Sequence, residues 1–577
     1  MKNKKLSPPI SIMAVFIISI LCCVDQIVLA QNKTNLVAEN VSIDIDFNKQ
    51  KGPLKPIWAY FGYDEPNYTY MKDGKKLLTE ISKLSKVPVN VRAHSLLVTG
   101  DGVAALKWGS TNAYTEDEKG NPIYNWTIID KIFDTYIERG MKPIAQIGFM
   151  PQALSTHPEP YQHHWDPNTK YNEIFTGWAY PPRDYVKFAN LVFEWVKHSV
   201  ARYGKLEVET WHWELWNEPD IPYWKGTTEE YIKLYDYTAD AVKRALPTAK
   251  IGGPETTGPG SKNAALFLRT FLTHIVSGKN YVTGKVGTPL DFISFHAKGQ
   301  PNLVNGMVQM NMGKQLRDID KGFEIVAAYP TLKKLPIIIG ESDPEGCAAC
   351  SEDFNPQNAY RNGTMYSSYT AASYARKSDL AESRGVNLLG AVTWAFEFED
   401  QAWFRGFRDL ATNGVDKPVL NVFRMFGMMQ GNRVVINQNL GYNYSLIRDS
   451  SVRSEKHDIN AFAAKDDRSA TVMVWNYHDN NDLSIADAAV AINMSGLPNG
   501  KVLLRHYRID RQHSNSYEAW KKMGSPKNPD QEQIALLENA GQLELLSSPE
   551  WILVKNGKIN LKMDLPVQGV SFYQLSW

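Results

Sequence analysis

The chain has 577 residues, 43% of them hydrophobic and 22% charged, an ordinary globular composition that excludes disorder, collagen and coiled coil. Its 63 basic and 62 acidic residues leave a formal charge of +1, so no global pull toward nucleic acid or an anionic membrane exists. Aromatic residues reach 11%, which suits stacking on sugars or bases but also simply fills cores.

The first 30 residues read as an address. Lys2, Lys4 and Lys5 precede an apolar run over 10–24, and Val28-Leu29-Ala30 places short side chains before a cut after Ala30. That is the three-part pattern of a secretory signal peptide, so an exported chain, periplasmic or secreted, is expected. The run is short for a membrane span of ~20 residues, and no later segment is long and apolar enough. Two of the four cysteines lie in this leader. Cys347 and Cys350 remain, as a local disulfide or two plain thiols.

Residues 31–50 come next. Val41, Ile43, Ile45 and Phe47 alternate, which predicts a strand joining the β-sandwich at the C-terminal end of the chain. Over 51–425, eight apolar, β-branched or aromatic runs follow: 57–63, 89–97, 143–149, 210–216, 250–253, 291–296, 335–340 and 388–396. Segments of helical spacing separate them, as at 126–139, 183–203, 229–246 and 359–384. Strands alternating with helices imply parallel units, and eight of them imply a (β/α)₈ TIM barrel of α/β class. From 426 to 577 the helical period fades. Short alternating runs at 470–477, 488–492, 502–509, 543–546, 559–563 and 569–575 predict a C-terminal antiparallel β-sandwich domain.

Barrel enzymes carry their chemistry where strands end. The fourth strand ends Trp213-Glu214-Leu215-Trp216-Asn217-Glu218-Pro219, and the seventh ends Ile339-Gly340-Glu341-Ser342-Asp343-Pro344. Two carboxylates from opposite walls can face each other across the mouth, which is what glycoside hydrolysis needs. Asn217 would orient a sugar hydroxyl. His94 and His296 sit at strand ends where each would bind a sugar hydroxyl, and Trp394 on the eighth strand would floor the subsite. Asp343 and Glu345 are rival nucleophiles further along the loop, and Glu255 follows the fifth strand.

Trp-Asn-Glu-Pro on strand four with Glu on strand seven resembles the retaining glycosidase clan of barrels. More closely, the chain resembles glycoside hydrolase family 39, which holds β-xylosidases and α-L-iduronidases. Arg92-Ala93-His94, Gly148-Phe149-Met150-Pro151, Asp291-Phe292-Ile293-Ser294-Phe295-His296 and Arg508-Ile509-Asp510 with His513-Ser514-Asn515 extend the resemblance over residues 55–575. It implies that Glu218 is the general acid/base and Glu341 the nucleophile, about 5–5.5 Å apart, with no metal and no cofactor. On this reading burial and its negative neighbour raise the Glu218 pKa, so that it starts protonated.

The subfamily signals divide. The β-xylosidases carry Tyr where Lys298 falls, whereas the iduronidases carry Lys-Gly there, facing the uronate carboxylate. Glu341-Ser342-Asp343-Pro344 is also similar to the iduronidases. Gly414-Val415-Asp416-Lys417-Pro418 and the sandwich look like β-xylosidase. Lys298 therefore reads a substrate anion, with Arg405 or Arg408 assisting, or pairs with a protein carboxylate. The expected activity is exo-release of terminal β-D-xylose from an oligosaccharide or polysaccharide. Iduronidase-like hydrolysis of an acidic or sulfated polysaccharide is the alternative, followed by an endo-acting xylanase or glucanase and a non-catalytic carbohydrate-binding protein. Residues 154–180, with His157, His163, His164 and Trp178, would wall off one end of the cleft.

Overall fold

The computed structural model describes residues 40–482 and 484–577. The expected leader, residues 1–30, lies outside the described residues. Among the described residues, no helix is long and apolar enough to cross a membrane.

Eight parallel strands form one sheet in strict chain order: Tyr60–Tyr63, Asn90–Ala93, Lys142–Ile147, His212–Leu215, Lys250–Thr256, Phe292–Phe295, Pro336–Ile339 and Asn387–Ala391. A parallel bridge from Phe61 to Thr393 closes the eighth strand onto the first. The strands are nearly all buried, because helices cover the outside and side chains fill the inside. Local chemistry starts the helices where the strands' loops end. Asp184 caps Tyr185–Tyr203 by accepting from the Val186 and Lys187 amides, and Thr227 with Glu230 forms a capping box on Thr228–Ala245.

The remaining residues form a ten-stranded sheet that shares one apolar core. Third from one edge lies Asn40–Pro53, whose Val41, Ile43, Ile45 and Phe47 are all buried. This segment pairs antiparallel with Asn432–Gln438 but parallel with Ala488–Ser495, Ile43 facing Ile492. The parallel pair departs from the all-antiparallel expectation. Such a pair cannot be closed by a tight hairpin, and here residues 54–487 lie between its strands. The C-terminal part is also more helical than its sequence pattern suggests. Tyr444–Ser450, Ser516–Lys522 and Gln531–Ala540 are helices inserted between strands.

The barrel and the sheet meet along Thr364–Arg384, which is buried around most of its girth rather than on one stripe. Arg376 reaches Asp458 at 2.6 Å, and the Trp475 indole donates to the same carboxylate at 2.9 Å. Tyr369 meets Tyr477 edge to face. A buried charge paired in this way costs little to keep and much to break.

Candidate active site

The strand ends converge on one buried cluster of charge. Glu218 stands three residues past the fourth strand with φ of 46°, and Glu255 is the penultimate residue of the fifth with φ of 56°. Trp216, with φ of 67°, is a third residue in the left-handed region. Each such non-glycine residue costs about 1–3 kcal/mol, strain that surrounding structure must hold. Here the Glu218 amide donates to the Glu255 carbonyl at 2.8 Å, locking the two loops together.

An oxygen of Glu218, an oxygen of Glu341 and a ring nitrogen of His296 lie within 4.8 Å of one another. Lys298 sits between the two glutamates, its Nζ 3.0 Å from Glu218 Oε1 and 2.6 Å from Glu341 Oε2. One-fifth of the Lys298 side chain is exposed. His296 lies between two carboxylates, Nδ1 2.8 Å from Glu218 and Nε2 2.8 Å from Glu255.

Below this layer, Arg92 donates to Glu214 and to Asn217 Oδ1 at 3.1 Å, and forms an ion pair with Glu255 at 3.3 Å. It is fully buried and matched by three glutamates. His94 lies 3.1 Å from Asp64 through Nδ1, and Nε2 is 2.9 Å from Arg92. Asp64 is held in turn by Lys107 at 2.8 Å and by the Trp394 indole at 3.1 Å. Trp394 stands beside His94 and Arg92, fully buried. Gly62 makes room for that ring: a Cβ there would lie 2.4 Å from it.

Burial pushes the Glu218 carboxyl up, but the Lys298 ammonium and His296 outweigh it and hold Glu218 well below the usual carboxylate range. Glu341 is also lowered: burial opposes ionisation, and Lys298 and His296 overcome it. The expectation of a raised Glu218 is therefore corrected for the free site. Its negative neighbour is present, but a lysine bridges the two. Burial disfavours the charged forms of His296 and Lys298, and the carboxylates around them reverse this, His296 to about 9. Burial pushes Glu214 up to about 8, against the pull of Arg92.

All seven residues proposed for the site from sequence, Glu218, Glu341, Asn217, His94, His296, Lys298 and Trp394, fall in or against this cluster. Of the two arginines considered, Arg408 comes within 4.0 Å of Glu341, while Arg405 pairs with Glu352 and Asp353 on the rim. The rival carboxylates are committed elsewhere. Asp343 accepts from the Tyr366 hydroxyl and the Trp394 amide, and Glu345 pairs with Arg361 at 2.9 Å. Cys347 and Cys350 are disulfide-bonded, and Arg361 donates to both of their carbonyls. Asp64, Lys107 and Glu214 are members that sequence reasoning did not select. From 154–180, His163, Ile174 and Trp178 line a small cavity with Asp64, His94 and Lys107.

The glycosyl hydrolases family 39 model matches residues 41–545. The chain belongs to this family. It is therefore a glycoside hydrolase. A β-xylosidase of Caldicellulosiruptor saccharolyticus is 27% identical over 76% of this chain and 80% of its own length. The α-L-iduronidase of Mus musculus is 23% identical over 85% of this chain and 74% of its own length. The crystal structure of a monomeric β-xylosidase from Caulobacter crescentus CB15 superposes with a TM-score of 0.70 at 21% identity, over 93% of this chain and 99% of that one. That last likeness concerns the fold.

Proposed function

We propose that the chain is an exported, retaining exo-glycosidase that releases terminal β-D-xylose by double displacement. Glu341 is the nucleophile and Glu218 the acid and base. The observation that carries this reading is the approach of Glu218 and Glu341 within 4.8 Å, oxygen to oxygen. A retaining pair stands about 5–5.5 Å apart, whereas an inverting pair leaves about 6.5–9.5 Å for a water. Asn217, His94 and Trp394 bind and floor the sugar. The aromatic segment 154–180 crowds the pocket on one side, which favours removal of chain ends. Export rests on the pattern of the first 30 residues.

Lys298 favours a second reading. An α-L-iduronide has the same configuration at C1 to C4 as a β-D-xyloside and adds a carboxylate at C5. One pocket can therefore accept either ring, and the cation decides. Xylose offers Lys298 no partner and leaves it on Glu218. A uronate carboxylate draws Lys298 away, and Glu218 is then freer to take a proton. Hydrolysis of aryl β-D-xyloside and aryl α-L-iduronide by residues 31–577, measured side by side, tests both. Xyloside turnover alone supports the first reading and iduronide turnover the second. Turnover of neither defeats both.

A further inference from the structure

The free site raises a problem of proton supply. A retaining glycosidase must protonate the leaving oxygen as the glycosidic bond breaks. Glu218 in this site is a carboxylate, with Oε1 accepting from both Lys298 and His296. A proton has to reach it from somewhere inside a closed cluster.

His296 is built to hold one. Ionised carboxylates only accept hydrogen bonds. Both ring nitrogens of His296 lie 2.8 Å from a carboxylate oxygen, a geometry in which two acceptors hold a doubly protonated ring in place. The groups that face it come from five elements: Glu218 beyond strand four, Glu255 of strand five, Lys298 beyond its own strand six, Glu341 beyond strand seven at 3.7 Å, and Arg92 of strand two through Glu255. The carboxylates outweigh the two cations. Glu255 cannot move away, because its backbone holds Glu218 and its carboxylate fills the space beside Gly340.

We propose that His296 is the proton store of this site, giving its Nδ1 proton to Glu218 as substrate binds, and that Glu255 is the positioning residue that keeps it charged between turnovers. The proposal rests on the retaining reading above. The steps balance. His296 passes its proton to Glu218 and stays neutral, still donating from Nε2 to Glu255. Glu218 gives the proton to the glycosidic oxygen, the bond from that oxygen to C1 breaks, and Glu341 bonds to C1. Water then attacks C1, Glu341 leaves as carboxylate, and Glu218 takes the water proton. That proton returns to His296. Hydrolysis consumes no net proton, and the site regains its starting state.

The test separates proton delivery from mere architecture. The substrates are the 2,4-dinitrophenyl and phenyl β-D-xylosides and the matching iduronides. Dinitrophenolate leaves without a proton, whereas phenolate needs one. Glu255→Gln is expected to lower kcat/KM on the phenyl glycoside by about 10²-fold, the usual worth of general acid catalysis, and far less on the dinitrophenyl glycoside. It also moves the alkaline limb of the pH profile to lower pH, and Glu255→Asp restores the limb. Equal losses on both leaving groups, or an unmoved limb, overturn the proposal. Glu218→Ala guards the underlying reading: if its loss shows no dependence on leaving group, the acid assignment itself fails. Nitrogen-15 spectra of ring-labelled histidine in the unaltered protein, assigned with His296→Gln, need no active variant. Both ring nitrogens protonated at pH 8 support the store, and a neutral ring at pH 7 overturns it.

Discussion

Gly340 has no space for a side chain because Glu255 occupies it: a Cβ there would lie 1.3 Å from Glu255 Oε1. The residue just before Glu341 is thus glycine for the sake of a carboxylate on another strand. Gly340→Ala must push Glu255 off His296 or shift the start of the Glu341 loop. Overpacking of this kind costs about 1–3 kcal/mol. We expect a melting temperature lower by a few degrees and a kcat lower by about 10²-fold, read by calorimetry and on an aryl glycoside. Unchanged kcat would show that Glu255 is free to relax.

The nucleophile assignment has a chemical signature. Glu341→Ala should lower kcat by more than about 10⁴-fold, on the scale seen when a nucleophile is removed. Azide should then restore turnover and give a glycosyl azide of inverted anomeric configuration, identified by NMR. Full activity without azide defeats the assignment.

Lys298 separates the two sugars. Truncating one partner of a buried charge pair costs about 2–5 kcal/mol, or about 30- to several thousand-fold. Lys298→Met should therefore cut kcat/KM on an aryl α-L-iduronide by that range if the lysine reads a carboxylate, and should spare an aryl β-D-xyloside. It should also raise the Glu218 pKa, since the chief opposing charge is gone, and move the alkaline limb for any remaining substrate upward. Equal losses on both sugars would make Lys298 a structural partner of the two glutamates.

The charge cluster also sets how stability varies with pH. His296 rises to about 9 in the fold from an ordinary 6.5. The contribution is fully present below about pH 6.5 and is lost as pH climbs through about 9. Glu341 is lowered, so its contribution is present above its ordinary value and is lost on acidification. Melting temperature should accordingly fall by several degrees between pH 7 and pH 9.5, and less steeply in His296→Gln. The same slope in both proteins would remove His296 from the account.

Much of the barrel was legible because a buried parallel strand is an uninterrupted apolar run. Ile337, Ile338 and Ile339 leave no other reading. The strand Asn432–Gln438 was not legible, since Val434, Val435 and Ile436 make only a three-residue apolar run between polar pairs and show no alternation. Asp458–Lys465 hides behind small alanines. Within the site, Glu218 and Glu341 stood out as single acids beyond apolar runs. Asp64 and Lys107 did not, because each is explained only by the other, 43 residues apart in sequence. The charge state of Glu218 was likewise beyond reach, as it depends on where one ammonium sits between two carboxylates.

The strand Asn40–Pro53 lies between Asn432–Gln438 and Ala488–Ser495. It emerges from the ribosome early, yet both of its neighbours are made only after the whole barrel. Until then Val41, Ile43, Ile45 and Phe47 have no sheet to enter, and the first and final parts of the chain must find each other across a finished or half-finished barrel. Pairings of such long sequence separation form slowly and leave apolar edges open in the meantime. The sheet is thus closed by its earliest strand, and deleting Asn40–Pro53 would part Asn432–Gln438 from Ala488–Ser495.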